Sequence, residues 1–302
     1  MIAKTMLRAL ARQAVRPYRP KRTPTKMVAV VVHLSSRSEL QPDEHISLRH
    51  LHHYLGGYDK FSLAPRGSTL NLPGIQKIEF SPKFFGSALA FNRLMYSPKL
   101  YQLFEDYKYV LMYQLDCLVL SDDLLSWCER DFDYIGAPWM PFADKPWVDE
   151  PRVGNGGFAL MKVEAALQVL YNRFCQEPLS FWKDSLSRGF TKYAKPPPEA
   201  PPKSASLFRK AWYRVQRSEI NWLNNDMFWG FHAARYYPEF RIPDWRVALQ
   251  FAFEEAPSKC FEINNGRLPF GCHAWAKFDR KFWEPHLLTG ASQPLAVPVL
   301  AG

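Results

Sequence analysis

The run Tyr107–Leu120, YKYVLMYQLDCLVL, decides how the chain folds. From Tyr109 to Leu115 every side chain is apolar or aromatic except Gln114. A run of that kind reads as a strand buried on both faces, as in the centre of a parallel sheet. Asp116 follows at its end. A carboxylate is seldom fully buried without a partner, and in open α/β sheets the ligand crevice lies at the carboxyl ends of the strands. Asp116 therefore either turns the chain toward Ser121-Asp122-Asp123 or belongs to a ligand site, and the rest of the sequence has to decide between them.

On the amino-terminal side, Met27–Leu34 (MVAVVVHL) reads as a first buried strand, with His33-Leu34-Ser35-Ser36-Arg37 at its carboxyl end, where a nucleotide would sit. His33 equally suits a core position. Pro42–Leu55 reads as a helix ended by Gly56-Gly57. Phe61–Ala64 and Ile75–Phe80 are short strands, and Phe91–Tyr96 is a helical piece. Ser97-Pro98, a cap followed by Pro at the first helical position, opens another that ends near Tyr107. After the central run come a helix over Asp123–Glu129, a strand over Tyr134–Trp139, and helices over Val163–Tyr171, Glu219–Tyr236 and Trp245–Glu254. Strands alternating with helices imply an α/β fold with a central, mostly parallel sheet and right-handed crossovers.

The bulk properties bound the function. A chain of 302 residues, 47% hydrophobic and 15% aromatic, can fill a sizeable core. No window of eighteen residues is continuously apolar, so no membrane-spanning helix is expected. Five cysteines, odd in number and without CxxC spacing, argue against a disulfide framework and a zinc ribbon, and for a reducing, cytoplasmic setting. The net charge of +10 suggests a nucleic-acid partner until its distribution is read. Residues 1–26 hold 8 basic residues and no acid, leaving 31 of the 39 basic residues against 29 acidic ones in the remainder. A near-neutral body with a basic tail is not a nucleic-acid groove. Within residues 1–16, Ile2, Met6 and Leu10 recur opposite Arg8, Arg12 and Arg16; the segment reads either as a disordered tail or as an amphipathic helix. Such a helix would make the protein peripheral on an anionic membrane surface. The expected organisation is a tail over 1–26, one domain over 27–288 with a Pro-rich mobile loop at about 190–205, and a C-terminal tail over 289–302.

Two further stretches carry chemistry. Val153–Met161, VGNGGFALM, places Gly154, Gly156 and Gly157 around Asn155. Glycines there permit either a tight bend into a strand or close approach of backbone to a ligand, with Asn155 supplying amide hydrogen bonds. No Lys-Ser/Thr follows and the G-x-G-x-x-G frame is absent, so this is not a phosphate loop. Asn224–Trp229, NNDMFW, offers Asp226 as the one acid of its stretch, and Leu268–Trp275, LPFGCHAW, offers His273.

Taken in order, YQLDCLVL, DYIGAPW, VGNGGFALM, NNDMFW and LPFGCHAW resemble an uncharacterised domain family that is itself similar to the GT-A class of nucleotide-sugar glycosyltransferases. The resemblance covers roughly residues 27–288. It implies a GT-A-like, Rossmann-like sandwich. It also implies an enzyme that moves a sugar from a nucleotide-diphosphate sugar to a glycan or lipid-linked acceptor, assisted by Mn²⁺ or Mg²⁺. Gln114-Leu115-Asp116 stands where that class has its Asp-x-Asp motif, with Asp116 as the metal ligand; Gln114 departs from the pattern and brings no charge. His273 stands where many GT-A enzymes place a late histidine on the metal, though a buried structural histidine beside Trp275 fits as well. Gly154, Asn155, Gly156 and Gly157 would face the donor sugar, with Arg37 on the donor side. Asp226 would be the acceptor-side base of an inverting transfer, and Trp229 and Trp275 would stack on the acceptor unless they are core. The missing first carboxylate keeps a second expectation open: a non-catalytic carbohydrate- or nucleotide-sugar-binding protein of the same fold.

Overall fold

The computed structural model describes Tyr18 and residues 23–142, 150–172 and 225–288. The expected amphipathic helix over 1–16, the Pro-rich loop at about 190–205 and the tail over 289–302 lie outside the described residues.

The two apolar runs form neighbouring central strands. β1 (Lys26–His33) lies between β2 (Asp59–Pro65) and β4 (Tyr107–Gln114), parallel to both, and β3 (Gln76–Phe80) extends the sheet beyond β2. Val30, Val31 and Val32 of β1 and Tyr109, Leu111 and Met112 of β4 are all fully buried, as burial of both sheet faces requires. The helices on the connections are α1 (Pro42–Tyr54), α2 (Ala88–Met95) and α3 (Pro98–Gln102). α1 begins with Pro42 at its first position, and the Glu44 carboxylate reaches back to accept from the Gln41 amide at 2.7 Å. α2 is capped by the Ser87 hydroxyl, which accepts from the Ala90 amide.

Beyond β4 the sheet changes direction. β5 (Leu118–Val119), α4 (Leu124–Glu129), β6 (Tyr134–Gly136), β7 (Pro138–Trp139) and β8 (Arg152–Val153) precede β9 (Phe158–Lys162). β9 is antiparallel to both β4 and β6, giving the order β3-β2-β1-β4-β9-β6. The sheet is mostly parallel, with one reversed strand between β4 and β6. A helix over 163–172, α5, follows directly.

The remainder corrects two expectations about local structure. The expected helix over Glu219–Tyr236 is seen from residue 225, in three pieces: α6 (Asn225–Met227), a π-turn (Phe228–His232) and a 3₁₀ turn (Ala233–Arg235). The helix expected over Trp245–Glu254 is α7 (Trp245–Phe251) and stops at Phe251; Ala252–Phe253 is instead strand β10. α8 (Pro257–Ile263), β11 (Gly271–Cys272) and α9 (Arg280–Trp283) complete the described chain. β10, β11 and β5 form a small second sheet in that order, with β10 parallel and β5 antiparallel to β11. Leu118, Phe253 and Cys272 of this sheet join Trp275 and Trp283 in a separate buried cluster beside the main core. At the other end, Tyr18 stacks on Tyr171 and its carbonyl accepts from Gln168, while Lys26 is already part of β1.

Candidate functional site

The topology gathers the chemistry-bearing residues at one edge. β4 ends at Gln114, and Asp116 lies in the turn between β4 and β5. Because β9 runs antiparallel to β4 with Phe158 opposite Tyr113, the glycine-rich stretch before β9 arrives at that same edge. β10 and β11 are parallel, pairing Phe253 with Cys272, so the next residues, Glu254 and His273, emerge side by side. β11 is antiparallel to β5, with Cys272 opposite Leu118, which brings His273 back to Asp116. Backbone bonds fasten the junction: the Trp275 amide donates to the Asp116 carbonyl at 3.2 Å, and the Gln114 amide to the Gly157 carbonyl at 3.0 Å.

His273 is the centre. Its Nε2 lies 3.2 Å from Gln114 Oε1 and 3.5 Å from Asp116 Oδ1, and its Nδ1 lies 3.1 Å from Glu254 Oε1 and 2.9 Å from Asn155 Nδ2. The His273 and Glu254 side chains are largely buried, whereas that of Asp116 is 52% exposed. Burial alone would lower the imidazole pKa. The negative field of Asp116, the hydrogen bond to Glu254 and the field of Asp226 outweigh it and hold His273 above its ordinary value.

Asn155 has a left-handed backbone (φ 53°), which Asn tolerates better than most residues. Its side-chain oxygen accepts from the amides of Gly157 (3.0 Å) and Phe158 (3.4 Å), closing the turn, and Tyr134 Oη donates to the carbonyls of Gly154 and Asn155. The glycines are buried beneath the site. A Cβ at Gly157 would sit 2.2 Å from His273 Nε2, and one at Gly156 2.3 Å from Asn225 Oδ1. Their smallness therefore lets His273 and Asn225 seat against the backbone.

Asp226 is held from behind. The side-chain oxygen of Asn92, on α2, accepts from the Asn225 amide (3.1 Å) and from the Asn225 side chain (2.9 Å), and both residues are buried. The Asp226 carboxylate accepts from the Met227 amide at 2.9 Å, and its charge bears on His273. The π-turn that follows is a rare geometry found frequently at functional sites.

The other expected residues are placed as follows. Arg37 follows β1 at the same edge, paired with Glu44 and donating to Ser35 Oγ at 3.1 Å; no contact among the described residues joins it to the His273 cluster. Trp229 and Trp275 are fully buried. Trp229 packs against Tyr101 and Phe228, and Trp275 lies under the Arg280 guanidinium, so both belong to the core and neither presents a face to an acceptor. His33 is stacked on Phe85 with its edge to Phe91, and burial pushes its pKa down to about 4. Cys117, Cys128, Cys260 and Cys272 are free and buried. Sequence reasoning missed Glu254, Asn92 and Tyr134. For Glu254 a signal existed: two acids directly after the apolar run Phe251-Ala252-Phe253.

The donors around His273 Nε2 can be tested against a divalent cation. A carboxylate, an imidazole and an amide oxygen suit Mn²⁺ or Mg²⁺ by ligand type. The set is a partial one: among the described residues no group of three His, Cys, Asp or Glu forms a metal cage. Mg²⁺ is commonly held in this way, by one or two protein carboxylates with substrate phosphates and water completing the shell. By donor type the residues fit a divalent cation, as an incomplete set that other ligands would have to complete.

A family model described as "Protein of unknown function (DUF5672)" matches residues 74–273. The chain belongs to this family. The family match runs from just before β3 to His273 and so contains Gln114, Asp116, Asn155, Asp226, Glu254 and His273, while β1 and Arg37 precede it. No curated protein matches by sequence. Among solved structures, the chain is similar to the apo form of the glycosyltransferase GlyE of Streptococcus pneumoniae TIGR4. Identity there is 14%, with 88% of this chain and 61% of that chain covered and a TM-score of 0.41. An active-site mutant of LgtC gives 13% identity, 87% and 98% coverage and a TM-score of 0.43. Mouse xyloside xylosyltransferase 1 gives 13%, 82%, 97% and 0.39. Among the described residues, no helix is long and apolar enough to cross a membrane.

Proposed function

We propose that the protein is a glycosyltransferase that moves a sugar from a nucleotide-diphosphate sugar to a glycan or lipid-linked acceptor. The observation that carries this reading is the convergence of Gln114, Asp116, Glu254 and His273, with Asp226 close by, at the carboxyl edge of the parallel strands. Three carboxylates bearing on one imidazole suit a ligand that arrives with a cation. The resemblance of the five ordered sequence motifs to the GT-A class supports it.

In this reading Asp116 and His273 hold Mn²⁺ or Mg²⁺, with the Gln114 amide oxygen beside them. The cation would neutralise charge on the leaving diphosphate. Asn155 keeps its turn closed and presents its amide nitrogen to the site, on the donor side. Asp226 stands on the acceptor side, where inverting transfer requires one carboxylate within reach of the attacking hydroxyl to take its proton. The buried Asn92–Asn225 pair fixes the backbone that carries it. Residues 1–26 would serve location rather than chemistry, through attraction to an anionic membrane surface.

The neutral Gln114 in place of a first carboxylate favours one second reading, a nucleotide-sugar-binding protein without turnover. Donor hydrolysis and transfer, measured over a panel of nucleotide sugars with Mn²⁺, separate the two. Turnover abolished by Asp116→Ala supports the enzyme. Donor binding without turnover of any donor in the panel supports the binding protein, and neither binding nor turnover contradicts both.

A further inference from the structure

We propose that Glu254 is a positioning residue: it holds His273 with the ring proton on Nδ1, so that the Nε2 lone pair faces Asp116 and Gln114. The inference rests on the proposal above that Asp116 and His273 are cation ligands, and it supplies the group that makes the imidazole a ligand on that face.

The ring is offered two incompatible arrangements. Asn155 Oδ1 is committed to the Gly157 and Phe158 amides, so the Asn155 NH₂ group is the part that approaches Nδ1, at 2.9 Å. It calls for Nδ1 as an acceptor, with the proton on Nε2. Gln114 Oε1, 3.2 Å from Nε2, calls for the same, and so does Asp116 Oδ1, but at 3.5 Å it is too far for a good hydrogen bond and its 52% exposed carboxylate can turn to water instead. Glu254 Oε1, 3.1 Å from Nδ1, calls for the opposite. An N–H donating to a carboxylate is roughly twice as strong as a bond between neutral groups. The Glu254 side chain is only 10% exposed, so a carboxylate oxygen turned against a ring lone pair would lose a charge-assisted bond with little water to replace it. Glu254 prevails.

The backbone makes that hold rigid. Glu254 and His273 follow the paired residues Phe253 and Cys272, and the His273 amide donates to the Phe253 carbonyl at 3.0 Å. Carboxylate and imidazole thus leave adjacent strand ends in fixed register. A carboxylate accepting from the far nitrogen of a metal-binding histidine fixes its tautomer and raises its basicity, and losing it typically weakens metal affinity about 10–100-fold.

The test uses the full chain and two readouts that need no turnover. Nitrogen NMR of ¹⁵N-histidine-labelled protein without metal, at a pH where the same spectra show a neutral ring, reports the tautomer of His273. Free Mn²⁺ measured by electron paramagnetic resonance reports affinity for the ion alone. The wild type should carry the proton on Nδ1. Glu254→Ala should move it to Nε2, as Asn155 and Gln114 both favour, and weaken Mn²⁺ binding about 10–100-fold, toward the level of His273→Ala. Glu254→Gln, whose amide oxygen can still accept from Nδ1, should fall between, and it carries the test if the alanine variant fails to fold. An Nε2 proton in the wild type overturns the proposal. So does an unchanged tautomer in folded Glu254→Ala, or Mn²⁺ affinity that falls in His273→Ala and is untouched by both Glu254 substitutions. A tautomer that shifts as expected in a chain whose wild type binds no Mn²⁺ upholds the role of Glu254 and contradicts the cation reading instead.

Discussion

Two charged clusters sit at opposite ends of the central sheet, each beside a left-handed residue, and they are built on opposite plans. At the amino-terminal edge of β4, Asp131 (φ 57°) meets Lys162 at 2.9 Å, Lys108 at 3.0 Å and Arg241 at 3.2 Å, and Asp133 meets Lys162 at 3.2 Å. Burial works against the Asp131 carboxylate, yet its hydrogen bonds from Lys162 and Lys108 bring its pKa down to about 2. At the carboxyl edge, beside Asn155 (φ 53°), Asp116, Glu254 and Asp226 all bear on His273. One cluster is neutralised by the chain's own lysines and arginine. The other gathers negative charge around a titratable ring, which raises the free energy of the empty site and favours a ligand that brings positive charge with it. The first arrangement is neutralised within the sheet; in the proposed reading, the second prepares the edge to bind.

Substitutions should therefore split by edge. The largest effect is expected from Asp226→Asn, which removes a proton acceptor while keeping shape. Turnover should fall about a hundredfold or more, the usual scale for a lost general base, with donor affinity intact. Wild-type turnover would remove Asp226 as base, and lost donor affinity would move it to the donor side. Next comes Gly157→Ala, whose Cβ would lie 2.2 Å from His273 Nε2. Overpacking of that kind costs about 1–3 kcal/mol, and here it should also weaken Mn²⁺ binding, because the ring must shift. A variant with native melting temperature and native Mn²⁺ affinity would show that His273 is not seated against Gly157.

His33 gives a pH test at the same edge that is independent of the cation. Its folded pKa of about 4 lies below the ordinary 6.5. The unfolded chain therefore takes up the proton first, and stability declines as pH falls from about 6.5 toward 4, by up to roughly 1.4 kcal/mol per unit. His33→Phe should make that acid slope shallower by one proton, measured as melting temperature against pH; an unchanged slope would contradict the burial of a neutral ring. The smallest effect belongs to the opposite edge. Asp131 is partly exposed, so Asp131→Asn should cost at most about 1 kcal/mol at neutral pH. With a folded pKa below its unfolded one, its contribution is present above about pH 4 and is lost as pH falls toward 2. Mn²⁺ affinity should not change, and a drop in it would erase the distinction between the edges.

How much of this was legible in the sequence differs residue by residue. β1 and β4 were legible because burial on both faces leaves an unbroken apolar run, and Asp116 was legible as the acid that ends one. The reversal at β9 was not, because Phe158–Met161 reads as buried whichever way the strand points. β10 and β11 are two residues long and leave no periodic pattern, so Phe251-Ala252-Phe253-Glu254 passed as the end of a helix and hid the acid that faces His273. Trp229 and Trp275 stood in the right stretches but are fully buried, and nothing in local sequence separates a stacking tryptophan from a packing one. The glycines were legible as a bend or a close approach, but not what approaches them: Gly157 seats His273, Gly156 seats Asn225 and Gly154 lies against Trp139, relations made by distant segments. Asn92 could not have been found, since its role depends on a partner 133 positions away.

In the proposed function Asp116, at the end of β4, brings a divalent cation and a nucleotide sugar to this edge together. A melting-temperature panel of nucleotide sugars, with and without Mn²⁺, on the wild type and on Asp116→Asn tests it most directly, since a ligand that binds the folded state raises the melting point. At least one nucleotide sugar should stabilise the wild type only when Mn²⁺ is present, and most of that stabilisation should be lost in Asp116→Asn. Stabilisation that ignores Mn²⁺, or that survives the substitution unchanged, would contradict it.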